Sequence, residues 1–266
     1  MRERRELSGG RRGEIFKERD GVVRPARPWT STVHRFLDYM VSNGADFVPR
    51  PVAVTDDTEI VSYLPGEVHH YPLPGELFAI EAVRSAARLL RAFHDRSRGF
   101  LPLLTAGDVW MLEPREPIEV MCHGDYAPYN VTTDRWRARG IIDFDTLHPG
   151  PRMWDLSYAV YRWASFTAPE NPDSRFSLSE QIRRGTVFFD THGVPVGERT
   201  TFVSSVVDRL KALVRFMRAR ADAGEMNFRR NIEDGHMDVY MRDIDYIQSR
   251  EEAIIDGMCR EMPERA

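Results

Sequence analysis

Met121–Asp145 reads MCHGDYAPYNVTTDRWRARGIIDFD, and the rest of the chain is best read outward from it. In order it holds a histidine, His123, an acid, Asp125, an amide, Asn130, and a second acid, Asp143. Tyr129–Thr133 and Arg139–Phe144 flank the polar stretch Asp134–Ala138, a pattern that predicts a hairpin and folds Asp143 back beside Asn130. One carboxylate then stands near an amide oxygen and a second carboxylate, the hard ligands a hard cation takes. An HGD triplet or a DFD alone is common in loops and at strand ends. The ordered set, with Ile141 and Ile142 leading into Asp143, is far more specific.

Asp125 and Asn130 have the spacing of the Asp and Asn in the HRDxxxxN catalytic loop of protein kinases. Phosphoryl transfer asks a protein for little covalent chemistry; it needs a carboxylate facing the incoming hydroxyl and oxygen ligands for magnesium beside the phosphates. Asp125 is expected in the first role, Asn130 and Asp143 in the second. A metal-dependent phosphohydrolase built on His123, Asp125, Asp143 and Asp145 competes with this reading but leaves Asn130 without a role.

HGDYAPYN, IIDFD and the following PGPRMWDLSYA (Pro149–Ala159) together resemble the aminoglycoside phosphotransferase-like family, related to choline kinases and more distantly to protein kinases. The resemblance is strong over Cys122–Ala159, weaker over the first 66 residues and vague after Trp163. It implies an α+β, two-lobed kinase-like fold, with a small β-rich lobe and hinge over residues 1–66 and a larger, mainly helical lobe over 67–266. It further implies Asp125 as catalytic base, His123 as the member of the catalytic set that positions the loop, Asn130 and Asp143 as Mg2+ ligands, and Asp155 as a brace for the loop. ATP or GTP would be the donor and a small hydroxylated molecule the acceptor. Asp155 also reads as an ordinary N-cap for a helix beginning at Leu156.

The amino-terminal stretch fits this frame. Gly9, Gly10 and Gly13 form a short glycine-rich loop where backbone can approach phosphates, although three glycines alone are a weak signal. Glu14–Arg19 and Val22–Arg24 predict a hairpin across Asp20-Gly21. Lysine is nearly absent, with only Lys17 and Lys211 in the chain. Arg24, in VVRP, therefore stands where a phosphate-gripping lysine is expected, and a two-residue turn places Lys17 directly across from it; either reaches an α- or β-phosphate. Trp29–Asn43 has helical periodicity, with Thr30 as its cap, but its only acid is Asp38, so the Lys–Glu ion pair of protein kinases is expected to be missing. That absence favours a second alternative, a nucleotide-binding pseudokinase. Pro51–Thr55 and Glu59–Tyr63 complete a small sheet, and Leu64–Glu67 reads as the hinge.

Beyond the hinge, Glu76–Arg96, Asp155–Trp163, Ser179–His192, Glu198–Ala223 and Asp238–Met258 read as helices, and His94 as a packed helix-end histidine. Composition excludes several classes. The net charge of −4 does not suggest nucleic acid, and the five arginines within Met1–Gly13 lack interleaved aromatics. No apolar run nears the ~18 residues of a membrane span and no signal peptide is evident, so a cytoplasmic enzyme is expected. Cys122 and Cys259 are too few for a disulfide framework or thiolate site, and Cys122 reads as a small buried hydrophobe. From Asp222 onward twelve acids face six arginines, among them Glu233, Asp234, Asp238, Asp243 and Asp245. These acids suggest a cationic acceptor such as an aminoglycoside or related amine, against the plainer reading of a solvated helix face.

Overall fold

The computed structural model describes residues 4–7, 13–19 and 21–260, so Gly9, Gly10 and Asp20 lie outside the described residues. The chain divides into two compact units, Met1–Asp155 and Leu156–Ala266. The lobe boundary expected at residue 66 falls inside the first of them.

The first unit opens with an antiparallel sheet of order β1-β2-β3-β5-β4, formed by Arg4–Glu6 (β1), Phe16–Glu18 (β2), Gly21–Pro25 (β3), Pro51–Val54 (β4) and Thr58–Ser62 (β5). Helix α1, Thr30–Ser42, connects β3 to β4 and sends Phe36 into the core. Helix α2, Ile80–Ser97, contributes Phe93. Phe36 meets Phe93 and Phe100 edge-on at 5.9 and 5.2 Å between ring centroids, and Phe93 lies 6.0 Å from Phe144. Truncating one such ring to alanine costs about 3–5 kcal/mol. Because Phe144 is the middle residue of Asp-Phe-Asp, its 1 % exposure anchors Asp143 and Asp145 to this core.

Two small ladders follow. Val120–Cys122 (β6) pairs with His148–Gly150 (β9), and Val131–Asp134 (β7) with Arg137–Ile141 (β8), an antiparallel hairpin in which Val131 faces Ile141. Cys122 is fully buried at the end of β6, and a Cβ on Gly150 would sit 3.1 Å from its Sγ. The segment ending at Glu67 is fastened to the hairpin: Glu67 and Thr133 exchange backbone hydrogen bonds of 2.8 Å.

Helix α3, Arg152–Trp163, crosses the unit boundary. In the second unit α4 (Leu178–His192), α5 (Phe202–Asp222), α6 (Met226–Glu233), α7 (His236–Gln248) and α8 (Glu251–Cys259) pack mainly as α4 on α8 and α5 on α6 and α7. Phe202 joins Phe166 and Phe189 at centroid distances of 5.4 Å. Asp243 is completely buried there, accepting hydrogen bonds of 2.7 Å from Tyr161 Oη, Ala168 N and Asn171 Nδ2.

Several expected boundaries shift for physical reasons. The register pairs Lys17 with Val22 and Glu18 with Gly21, so Gly21 is a strand residue and Arg19 takes the left-handed backbone, φ 54°. Thr30 is the first residue of α1 rather than its cap; its hydroxyl accepts from Arg27 N at 2.9 Å. Gly75–Phe78 forms a separate 3-10 turn before α2, because Ala79 is extended at ψ 146°. Val196–Thr201 likewise precedes α5 as a 3-10 turn, α6 is an additional helix, and the helix expected over Asp238–Met258 is broken between α7 and α8. Since α3 starts at Arg152, Asp155 lies within its first turn and is not the N-cap of a helix starting at Leu156.

Candidate functional site

Asp155 organises the loop before β7. Its Oδ2 accepts from His123 N at 2.9 Å and from His94 Nε2 at 3.0 Å, and its Oδ1 accepts from Gly124 N at 2.8 Å. Burial alone would raise its pKa, but these donors and the facing histidines lower it to about 2. His94 is thus packed, as its helical position suggested, and it also steadies the acid that shapes the loop. Gly124 takes φ 82°, which turns the chain sharply toward Asp125.

His123 is fully buried with its ring edge-on to Phe144 at 5.0 Å. Its Nδ1 accepts from Asp125 N at 3.3 Å, which leaves Nε2 to donate to the Ile142 carbonyl at 3.0 Å. Both ring nitrogens are committed to backbone, so His123 ties the loop that carries Asp125 to the strand end that carries Asp143.

Asp125 emerges from this scaffold. Its Oδ1 accepts from Tyr129 Oη and its Oδ2 from Asn130 Nδ2, each at 2.8 Å. Asn130 Nδ2 also donates to the Asp125 carbonyl at 3.0 Å, so its amide nitrogen is engaged and Oδ1 is the atom it has for a cation. The hairpin brings Asp143 into the same neighbourhood, since Ile142 N donates to the Asn130 carbonyl at 2.9 Å. Asp143 takes φ 62°, a left-handed conformation that an Asp tolerates better than most residues. Although 48 % of its side-chain surface is open, lost hydration and repulsion from Asp145 raise its pKa, with Arg24 opposing.

Arg24 joins the sheet to these acids. Its Nη1 donates to Asp143 Oδ1 at 3.1 Å and its Nη2 pairs with Asp145 Oδ1 at 3.1 Å. Trp29 Nε1 donates to the same Asp145 oxygen at 3.2 Å. Arg24 Nε lies 2.8 Å from Glu59 Oε1, a charge contact rather than an aligned hydrogen bond. Burial opposes the guanidinium charge, and Asp145, Asp143 and Glu59 together overcome that opposition and hold its pKa above the ordinary value.

Two expectations are corrected here. An acid partner for the cation does exist: it is Glu59 of β5, the direct cross-strand partner of Arg24, rather than a residue of α1. Lys17 does not stand opposite Arg24; its Nζ lies 3.5 Å from the centre of the Tyr63 ring. Gly13 is described, with φ 78° and its N–H donating to Glu6 at 2.7 Å. Glu59, His34, Trp29 and Tyr129 were not singled out from the sequence, and Asp145 only as part of the hydrolase set. Tyr129 was legible in principle, as it stands four residues after Asp125 within the motif; Glu59 carries no motif at all.

A cavity of about 550 Å³ is lined by Leu64, Gly66, Thr132 and Arg139 and includes none of these groups. Among the described residues no cluster of three or more His, Cys, Asp or Glu is arranged to hold a metal by itself, and no helix is long and apolar enough to cross a membrane.

Residues 109–179 match the model of the phosphotransferase enzyme family. No curated protein matches the chain significantly. Among solved structures, an amicoumacin kinase in complex with AMP-PNP, Ca2+ and Ami is similar at TM-score 0.59 and 12 % identity, over 87 % of this chain and 88 % of that one. A choline kinase from Cryptosporidium parvum Iowa II gives 0.58 and 12 %, over 97 % and 91 %. An ADP-bound aminoglycoside phosphotransferase gives 0.52 and 15 %, over 95 % and 94 %. The likeness inferred from HGDYAPYN, IIDFD and the segment after them is therefore met twice, by the phosphotransferase enzyme family model over residues 109–179 and by a two-lobed α+β kinase-like fold across most of the chain.

Proposed function

We propose that the chain transfers the γ-phosphoryl group of ATP, or of GTP, bound with Mg2+, to a hydroxyl of a small molecule. The observation that carries this reading is the single cluster formed by Asp125, Asn130, Asp143 and Arg24, fed by three separate elements. Asp125 holds a carboxylate where an acceptor hydroxyl would deliver its proton, and Tyr129 and Asn130 fix its orientation through 2.8 Å hydrogen bonds. Arg24 presents the terminal nitrogens of a permanently charged fork, suited to phosphate oxygens.

The donor chemistry suits magnesium. Asp143 offers a half-open carboxylate and Asn130 an amide oxygen, and Mg2+ commonly takes one or two protein oxygens, water and substrate phosphates rather than an all-protein cage. When bound, the ion would neutralise charge on the phosphates. The protein's own contribution is to hold Asp125, Arg24 and the two ligands on a core-anchored frame. Similar structures contain AMP-PNP with Ca2+, or ADP, which supports a nucleoside triphosphate as donor.

The phosphohydrolase alternative is disfavoured because His123 is buried with both nitrogens engaged, so it has none to offer a metal. The pseudokinase alternative loses its main support, since Arg24 has an acid partner in Glu59. The test is transfer of radiolabelled phosphate from ATP across a panel of hydroxylated acceptors. With a verified acceptor, Asp125→Asn is expected to lose ~10²–10⁴-fold in kcat while keeping nucleotide affinity, and Asp143→Asn to weaken Mg-nucleotide binding. Wild-type turnover by Asp125→Asn would refute the base assignment; hydrolysis without any acceptor would favour the hydrolase.

A further inference from the structure

We infer that Glu59 is the positioning residue for the phosphate-binding cation, taking on strand β5 the task that protein kinases give to a helix glutamate, and that His34 links α1 to it. The inference rests on the phosphotransferase reading above. Glu59 is 1 % exposed, and a carboxylate that buried is sustained only by close donors and opposite charge. It has both. Oε1 lies 2.8 Å from Arg24 Nε and 3.5 Å from the Thr30 hydroxyl, and Oε2 lies 2.7 Å from His34 Nε2. An ionised carboxylate only accepts, so His34 carries its proton on Nε2.

The geometry assigns different tasks to the parts of Arg24. Glu59 and Arg24 are direct partners in the β3–β5 ladder, so their side chains leave the sheet on the same face. Glu59 meets the inner nitrogen, and both terminal nitrogens project to Asp143 and Asp145. A fork held at its stem in this way keeps its two outward donors in one orientation, which is what phosphate recognition requires. In α1 the acid Asp38 is exposed and does not serve, whereas His34 from the buried face reaches the far oxygen of Glu59. The chain His34–Glu59–Arg24 therefore couples α1, β5 and β3 to the acids of the site. A guanidinium's inner nitrogen can be held from β5 while its two terminal nitrogens face Asp143 and Asp145, a division of labour that a lysine ammonium cannot make.

Calorimetry of Mg-ATP and of adenosine tests this. Glu59→Gln retains the volume but removes the charge, and is expected to raise the Kd for Mg-ATP by about tenfold or more while leaving adenosine affinity unchanged. In an Arg24→Ala background the same substitution is expected to add nothing, because a residue acting through Arg24 has no further effect once Arg24 is gone. An equal loss for adenosine, or a loss that persists without Arg24, would show a merely structural role and overturn the inference. If Glu59→Gln does not fold, His34→Gln carries the same comparison: a smaller, phosphate-selective loss that vanishes with Arg24→Ala supports the chain of contacts, and no phosphate-selective loss overturns it. Failure of the unaltered protein to bind Mg-ATP would strike the phosphotransferase reading itself, whereas normal binding with an indifferent Glu59 would remove this inference alone.

Discussion

A methyl group on Gly124 would lie 2.5 Å from the Thr146 carbonyl oxygen and 3.1 Å from its Cβ, on a backbone already at φ 82°. Thr146 cannot retreat easily, because its hydroxyl donates to the His123 carbonyl at 2.8 Å. Gly124→Ala is therefore expected to destabilise the fold by about 1–3 kcal/mol and to lower kcat at least ~10-fold by moving Asp125. Thermal unfolding and steady-state kinetics on the same preparation check this; an unchanged kcat would mean that the turn is not what places Asp125. At this scale the sequence was most informative where the partners are close in the chain. Asp125, Asn130 and Asp143 were legible from spacing and from the hairpin between them. Glu59 and His34 were not, because cross-strand and helix-to-strand pairing leaves no local periodicity, and a glutamate in a short strand looks like any solvent-facing residue.

Between elements, the contact that matters most is the one from α2 and α3 to the loop after β6. Asp155 has its pKa lowered from 3.8 to about 2, despite burial, chiefly through His94, with His123 and the Gly124 amide adding to it. A depressed carboxylate pKa means stability that is fully present above the unfolded value near 3.8 and lost as pH falls through about 2. The charge contributes on the order of 2 kcal/mol by linkage. Asp155→Asn should flatten the acid limb of the stability curve between those two values and reduce stability at neutral pH, as measured by denaturant unfolding across pH. A variant with an unchanged acid limb would assign the pH dependence to other carboxylates. Element boundaries were less legible than element identities. The α7–α8 break at Ser249–Arg250 and the 3-10 turns before α2 and α5 interrupt runs whose apolar spacing continues through them, so periodicity alone joins what the backbone separates.

For the molecule as a whole, the open question is the acceptor, and the acid-rich carboxyl-terminal segment bears on it. Asp243 cannot attract an amine: it is fully buried, and burial raises its pKa against the pull of Tyr161, Ala168 and Asn171. Asp238 and Asp245 remain exposed, seven residues apart on α7 and on a shared face. If they draw a cationic acceptor, Asp238→Asn with Asp245→Asn should raise KM for amine-bearing polyols by ~2–10-fold, with the effect shrinking at high salt, and should leave neutral polyols unaffected. ATP consumption with matched cationic and neutral acceptors at two ionic strengths decides it. A salt-insensitive preference for neutral sugars would exclude the cationic class and leave phosphoryl transfer intact.

Cys122 has a practical consequence. It is sealed beneath Gly150 at the end of β6, one residue before His123, whereas Cys259 is half-buried near the end of α8. A thiol reagent should therefore modify the native protein in two well-separated phases, with Cys259 fast. The slow phase times the local opening of β6 and β9 and thus the loss of the loop behind Asp125. Mass spectrometry of the labelled peptides should show Mg-ATP slowing that second phase and not the first. Equal labelling rates for both thiols would mean that the strand beneath the loop opens as freely as a helix end.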